Sequence, residues 1–133
     1  MSVLVTDNGF ETNDWAADLA EDQILDLGSD TDVPSLDAPE GITLVRVDFP
    51  AFSDGRGFTI ARALRQRGYT GKLRAKGHVI SDQYAMARRV GFDEVEISDD
   101  LATRQPEDQW LFRANWQSHN YQARLRAHSN AAR

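Results

Sequence analysis

The chain contains no cysteine and no long apolar run, and each absence excludes a class of protein. Without cysteine there are no disulfides, no thiolate zinc or iron–sulfur ligands and no redox-active thiol pair. The apolar runs are too short to cross a bilayer, and the N-terminus lacks the basic start and apolar stretch of a signal peptide. We therefore expect no membrane partner and a cytoplasmic location.

Lysine and arginine are absent from the first 45 residues, which hold 11 acidic residues. Residues 46–133 hold 10 acidic and 15 basic residues. Within 56–89 there are nine basic residues and a single acidic one, Asp82. One interpretation is a solvated acidic arm beside an ordinary basic surface. The other is that the acidic segment, or an anionic ligand or partner, meets the basic region. Nucleic acid is not expected, because aromatics are not interleaved with the basic residues and no binding motif is recognisable.

The 133 residues, 41% of them hydrophobic and 27% charged, amount to about one ordinary globular domain. Residues 42–99 predict a βαβαβ unit, with strands at 42–49, 72–76 and 92–97 and helices at 57–68 and 82–90. The nearly continuous apolar character of 42–49 is typical of a strand covered on both faces. We expect an α/β fold with a small, mainly parallel sheet of three to four strands and an acidic N-terminal arm.

The chain divides by composition at residue 41. Residues 1–41 are interpreted as an acidic arm and linker, with a short strand at 2–6, a helix from about 13 to 22 and an exposed connection at 28–41. Residues 42–133 form the α/β domain, in which Pro106 opens a further helix and the C-terminal end is a polar, basic tail. The exposed edges of such a small sheet invite pairing with the N-terminal strand or a second copy, and we expect a homodimer.

Candidate functional residues lie at the carboxyl ends of the predicted strands, which share one edge of a parallel sheet. The segment Asp54-Gly55-Arg56-Gly57 joins a strand to a helix. Its glycines permit positive φ, and the free helix amides with Arg56 could hold a phosphate, sulfate or carboxylate. The alternative is a structural turn in which Asp54 caps the helix and pairs with an arginine. Neither a phosphate loop nor a dinucleotide fingerprint is present.

His78 follows the second predicted strand and could be a base or a ligand, although the lack of metal-ligand spacing favours a surface histidine. Aspartates near the strand ends could bind a divalent cation, or could cap helices and pair with arginines: Asp48, Asp54, Asp82, Asp99 and Asp100. No serine lies in a nucleophile elbow. We predict no metal and no cofactor, and the sequence assigns no catalytic residue.

Several motifs together resemble a known family. They are the run from Phe49 to Phe58, the pairs Ala61-Arg62 and Leu64-Arg65, the run from Gly71 to Val79, Asp82-Gln83, and Gly91-Phe92-Asp93. The chain resembles uncharacterised bacterial proteins known as a domain of unknown function. Their genes often lie beside those for assimilatory sulfite and sulfate reduction, and some carry the label of an oxidoreductase of sulfite reduction. The resemblance covers roughly 42–97.

The resemblance implies a role in sulfite and sulfate reduction, but it implies no catalytic mechanism. We interpret the chain as a non-catalytic accessory or regulatory protein of sulfite or sulfate assimilation, with a reductase component as partner. The alternative is a small enzyme or sensor that binds an oxyanion or phosphorylated metabolite at the Asp54–Gly57 loop. Candidate anion- or partner-binding residues are Asp54, Arg56, Gly57, Arg62, Arg65, Arg74, His78, Asp82 and Gln83.

Overall fold

A six-stranded mixed sheet is the centre of the computed structural model, which describes residues 2–11, 13–114 and 116. Its order is β2-β1-β6-β5-β4-β3, in which β3 to β6 are mutually parallel and β1 runs antiparallel to both β2 and β6. The strands are β1 (Ser2–Thr6), β2 (Gly9–Glu11), β3 (Ile24–Leu27), β4 (Leu44–Phe49), β5 (Lys72–Gly77) and β6 (Glu94–Ser98).

The α/β class is confirmed, and the three strands of the predicted βαβαβ unit are β4, β5 and β6, parallel and adjacent. The expected count of three to four strands is wrong. The additional strands come from the acidic N-terminal segment, where β1 and β2 form a hairpin on one edge and β3 forms the other edge. The division at residue 41 stays a prediction, and strands from both sides of it share one sheet.

Within the residues that the structure describes, four helices accompany the sheet: α1 (Arg56–Gln66), α2 (Tyr84–Val90), α3 (Asp99–Arg104) and α4 (Glu107–Arg113). The helix expected over 13–22 is absent, and two short 3-10 turns, Trp15–Asp18 and Glu21–Gln23, take its place. In the first, the Asp14 side chain accepts a hydrogen bond from the Ala16 amide. In the described parts of the chain, every helix is too short or too polar to span a bilayer.

The apolar core lies between one face of the sheet and the helices α1, α2 and α4. Alternate residues of each strand point the same way, so Val45 and Val47 of β4 share this face with Val95 of β6. Trp110 of α4 closes the core edge-on against Tyr84 of α2, with ring centroids 6.1 Å apart. The remaining alternate positions point to the opposite face.

The opposite face is charged, and we call it the polar face: Asp26, Arg46, Asp48, Arg74, Lys76, Glu94 and Glu96. Strand register sets Asp26, Arg46, Arg74 and Glu94 in one row across four strands. The expectation that 42–49 is covered on both faces is wrong towards its end, because Asp48 is exposed there. The segment around Asp14 covers the middle of the face and leaves Arg74 fully buried.

Candidate functional site

The loop after β4 is held by an internal ion pair. Arg56 donates from Nε to Oδ1 of Asp54 at 2.9 Å and from Nη2 to Oδ2 at 2.8 Å. Asp54 Oδ1 also accepts the Arg56 backbone amide at 3.1 Å, and Arg56 Nη2 reaches Ser29 Oγ at 3.0 Å. The Arg56 side chain, followed by its amide, holds the pKa of the Asp54 carboxyl well below its usual value. The guanidinium already has an anionic partner.

Neither glycine of this loop adopts positive φ. Gly55 has a φ of −85°, which any residue can adopt. Gly57 is required by packing, because a Cβ there would lie 2.4 Å from Cζ of the buried Phe49 ring. The motif therefore reflects close approach of α1 to β4.

The loops after β4 and β5 are joined by Gln83. Its Nε2 donates to the Phe52 carbonyl at 2.8 Å, and its Oε1 accepts the Ile80 amide at 3.0 Å. The exposed ring of His78 lies 5.4 Å from the Phe52 ring, centroid to centroid. These contacts order two neighbouring loops at the carboxyl edge, with His78 and Phe52 on its surface.

Asp82 pairs with Arg113 of α4, 2.8 Å from Oδ1 to Nη2. A cavity of about 330 Å³ lies beside this pair, with Asp108 and the exposed Phe112 in its wall. The loop after β6 is separate, since Asp100 pairs with Arg104 within α3 and Ser98 Oγ caps that helix at the Leu101 amide. The ion pairs at the three loops are thus separate from one another and do not converge on one centre.

Arg74 is fully buried within the polar face. Its Nε donates to Glu94 Oε2 at 2.7 Å, its Nη1 to Glu96 Oε1 at 2.8 Å and its Nη2 to Asp14 Oδ1 at 2.8 Å. Burial alone would lower the pKa of Arg74, but the hydrogen bond to Asp14 and the charge of Glu94 raise it overall. The carboxylates of this cluster were not predicted. Their only signal is charge alternation, basic along β5 and acidic along β6.

Arg65 lies at the other end of the sheet, at the start of β5 and β6. Its Nε and Nη2 donate to the Gly91 carbonyl, its Nη1 to the Tyr69 and Gly71 carbonyls and its Nη2 also to Asp93 Oδ2. The five donors of the guanidinium are all used within the chain. Arg65 fastens the end of α1 to the loops before β5 and β6.

Arg62 lies on the outer surface of α1, one turn before Arg65, and takes no part in the Arg65 or Arg74 contacts. It lines a shallow cavity of about 170 Å³ between α1 and α2, together with Phe58, Thr59, Met86 and Val90. The Met86 side chain on the opposite wall is 54% exposed. Within the described residues Arg62 forms no ion pair.

The predicted site residues therefore fall into four places. The carboxyl edge of the sheet holds Asp54, Arg56, Gly57, His78, Asp82 and Gln83. Arg74 lies on the polar face, Arg65 lies at the amino edge, where β5 and β6 begin, and Arg62 lies on the outer surface of α1. Across the described residues, no three His, Asp or Glu side chains are grouped so as to hold a metal ion.

Comparison with known proteins gives a family and no activity. No curated protein and no solved structure matches the chain. A family model described as "Bacterial protein of unknown function (DUF934)" matches residues 24–131, which begins at β3 and includes all four helices. The hairpin of β1 and β2 lies before the matched region. The match spans well over half of the sequence, and the chain belongs to this family of bacterial proteins of unknown function.

Proposed function

We propose that the chain is a non-catalytic accessory or regulatory protein of sulfite or sulfate assimilation that acts through protein contacts. The observation that carries this proposal is that the ion pairs at the carboxyl edge form separately and do not share one centre. Asp54 is taken by Arg56, and Asp82 is taken by Arg113. The link to sulfur assimilation rests on the resemblance of the motifs between residues 42 and 97.

Side chains that are already held in separate ion pairs are not arranged for catalysis. A general base needs a substrate proton within hydrogen-bond reach and neighbours that orient it. His78 packs its ring on Phe52, and its backbone amide donates to the Phe49 carbonyl. The side-chain amide of Gln83 is hydrogen-bonded to the backbone of Phe52 and Ile80. These residues order the loops, which suits a surface that presents itself to another protein.

Large apolar side chains are exposed on several elements. Phe112 of α4 is 67% exposed, and Phe52, Met86 and Leu111 are also exposed. Aromatic residues, methionine and arginine are enriched at the centres of protein interfaces. Here Phe112 lies beside Arg113, and Met86 lies across a cavity from Arg62. Exposed apolar side chains beside arginines support a function in which the chain binds another protein.

The test is recovery of a partner. The full-length protein is immobilised and exposed to extract of sulfate-grown cells of its source bacterium, at about 0.05 M and about 0.5 M NaCl. We expect a sulfite or sulfate reductase component to be retained at low salt and released at high salt. Extract from cells grown on cysteine, which need no sulfate reduction, is the control. Absence of every reductase component from the low-salt eluate would overturn the proposal.

An alternative function remains for the loop after β4. The Arg56 side chain is 62% exposed at the first residue of α1, a position from which it could reach an oxyanion or phosphorylated metabolite. Such a ligand would have to displace Asp54 from the guanidinium. A thermal-shift panel of sulfate, sulfite, phosphate and nucleotides, with the Arg56→Ala variant, decides between the two functions.

A further inference from the structure

The arginines of the chain divide into two groups by their partners. Ten arginines lie in the described residues, and seven of them are within ion-pair distance of a carboxylate. The three that form no ion pair with described residues are Arg62, Arg67 and Arg89. All three belong to α1 and α2 or directly follow them. Arg67 and Arg89 donate to backbone carbonyls, so positive charge without a described carboxylate partner is concentrated on the helical layer.

The helices that carry these arginines contain no acidic residue. The sequence of α1 is RGFTIARALRQ and that of α2 is YAMARRV. Arg65 and Arg88 turn away towards the loop before β6, where both approach Asp93. The outer surface of the two helices is therefore cationic, in a chain whose net charge is −6.

An apolar groove runs through this cationic surface. Phe58 of α1 and Met86 and Val90 of α2 supply its apolar lining, and Met86 is exposed. Arg62 follows Phe58 by four residues and Arg89 follows Met86 by three, so each helix adds a guanidinium one turn from an apolar lining residue. At about 170 Å³ the groove is smaller than the roughly 300–1,000 Å³ typical of small-molecule sites. It is of a size to take a protein side chain.

We propose that this groove, which we call the α1/α2 groove, is the docking site for an acidic segment of a partner protein. The partner inserts one apolar side chain against Met86 and places a carboxylate against Arg62, while Arg89, one turn beyond Met86, adds further positive charge. The inference rests on the proposed function and assigns the surface by which the partner is bound. Charge complementarity identifies the occupant, because the groove is lined by Arg62, which forms no ion pair with described residues, and by no carboxylate.

A protein segment fits this surface better than a nucleic acid does. Nucleic-acid binding needs an array of cations along a phosphate backbone, often with aromatic stacking platforms. The groove is lined by apolar side chains together with Arg62, and Arg89 lies one turn beyond Met86, so it offers too few cations to follow a phosphate backbone. Arginine, methionine and aromatic residues are instead enriched at protein interfaces.

The experiment measures binding of the purified reductase component, recovered as described above, to the full-length chain and three variants. Arg62→Glu and Met86→Asp place a carboxylate in the groove. Lys72→Glu is the matched control, because Lys72 is exposed at the start of β5, remote from the groove, and the change in net charge equals that of Arg62→Glu. We expect about a tenfold or greater loss of affinity for the two groove variants and less than about a twofold change for the control.

A second measurement guards against loss of folding and against indirect effects. Arg62 and Met86 are exposed, so we expect the thermal unfolding midpoints of the variants to equal that of the wild type. A photoreactive benzophenone amino acid in place of Met86 should cross-link to the partner, whereas the same group in place of Arg104 on α3 should not. Cross-links must map to a partner segment that contains Asp or Glu.

The outcomes separate the two proposals. If the wild-type chain retains no reductase component, the proposed function fails and this inference fails with it. If the wild type binds the component and both groove variants bind equally well, the groove is overturned and the function stands. If single-stranded RNA or anionic lipid vesicles bind the wild type more tightly than the reductase component does, and lose that binding in the groove variants, the surface takes a polyanion and the acidic protein segment is overturned.

Discussion

Arg74 on β5 and Glu94 on β6 are direct neighbours in the strand register, and both are buried on the polar face with a hydrogen bond of 2.7 Å between Nε and Oε2. Glu96 and Asp14 accept from the remaining nitrogens of the same guanidinium. One buried cation therefore holds three carboxylates together in the centre of a sheet. Because α1 and α2 lie on the opposite face, no apolar layer from those helices covers this cluster.

Removing the cation should be costly. Arg74→Met leaves the buried Glu94 without its counter-charge and leaves Glu96 only Lys76, 4.0 Å away, so we expect a loss of about 3–5 kcal/mol in the free energy of unfolding, measured by urea denaturation. The double variant Arg74→Met/Glu94→Gln should recover part of this loss, because it removes one orphaned carboxylate. A loss under about 1 kcal/mol for the single variant would contradict the buried cluster.

Stability should fall in acid through Asp14. The hydrogen bond from Arg74 lowers the pKa of Asp14 from its usual 3.8, against a smaller opposing effect of burial. The stabilisation is therefore present above a pH of about 3.8 and is lost as the pH falls through the lowered value of the folded chain. We expect urea midpoints to decline between about pH 5 and about pH 2.

The matched variants isolate this group. Asp14→Asn should decline less steeply than the wild type over the same pH range, whereas Asp18→Asn, at an exposed position, should follow the wild type. Some decline persists in Asp14→Asn, because Arg46 similarly lowers the pKa of Asp26. Identical pH profiles for Asp14→Asn and wild type would show that the Arg74 pair does not contribute.

The elements of residues 42–99 could be predicted because each carries a local signal. The apolar run of β4, the three-residue spacing of Phe58, Ala61 and Leu64 in α1, and the glycine that ends α2 all act within a few residues. Gly91 has a φ of 119°, so a left-handed end to α2 was readable from the residue type alone.

The edge strands could not be predicted in this way. β2 and β3 have only three and four residues, and β3 places Ile24, Leu25 and Leu27 among acids. Its strand conformation depends on pairing with β4, which is seventeen or more residues later in the chain. The helix expected from about 13 to 22 does not form, because Asp14 and Trp15 instead bind Arg74 and Glu94. The conformation of these residues is determined by contacts with strands that are distant in the sequence.

Gly57 should tolerate no side chain, whereas Gly55 should tolerate one. A Cβ at Gly57 would lie 2.4 Å from the Phe49 ring, which the core holds on all sides. Gly57→Ala should therefore cost about 1–3 kcal/mol, measured as the free energy of unfolding in urea. At Gly55 nothing lies within 4 Å of the added carbon, and Gly55→Ala should change stability by less than about 0.5 kcal/mol. Equal effects of the two variants would contradict the packing role of Gly57.

Arg65 should not be replaceable by lysine. Its planar guanidinium bridges three backbone carbonyls and Asp93, and a lysine ammonium has only three donors around one nitrogen. We expect Arg65→Lys to lower the free energy of unfolding by about 2 kcal/mol or more. Arg62→Lys, one turn earlier on the same helix and without an ion pair in the described residues, should be neutral within about 0.5 kcal/mol. If Arg65→Lys left the free energy of unfolding unchanged, the Arg65 hydrogen bonds to the loops before β5 and β6 would not contribute to stability.

Arg56 tests whether the loop after β4 can bind anions at all. Because Asp54 occupies Nε and Nη2 of the guanidinium, we expect sulfate, sulfite and phosphate to leave the thermal unfolding midpoint of the wild type unchanged. Asp54→Asn removes the competing charge and frees Arg56, so the same anions should then raise the midpoint. Arg56→Ala in the Asp54→Asn background should abolish that rise. A rise already present in the wild type and lost in Arg56→Ala would instead favour the anion-binding alternative, because it would mean that the ligand outcompetes Asp54.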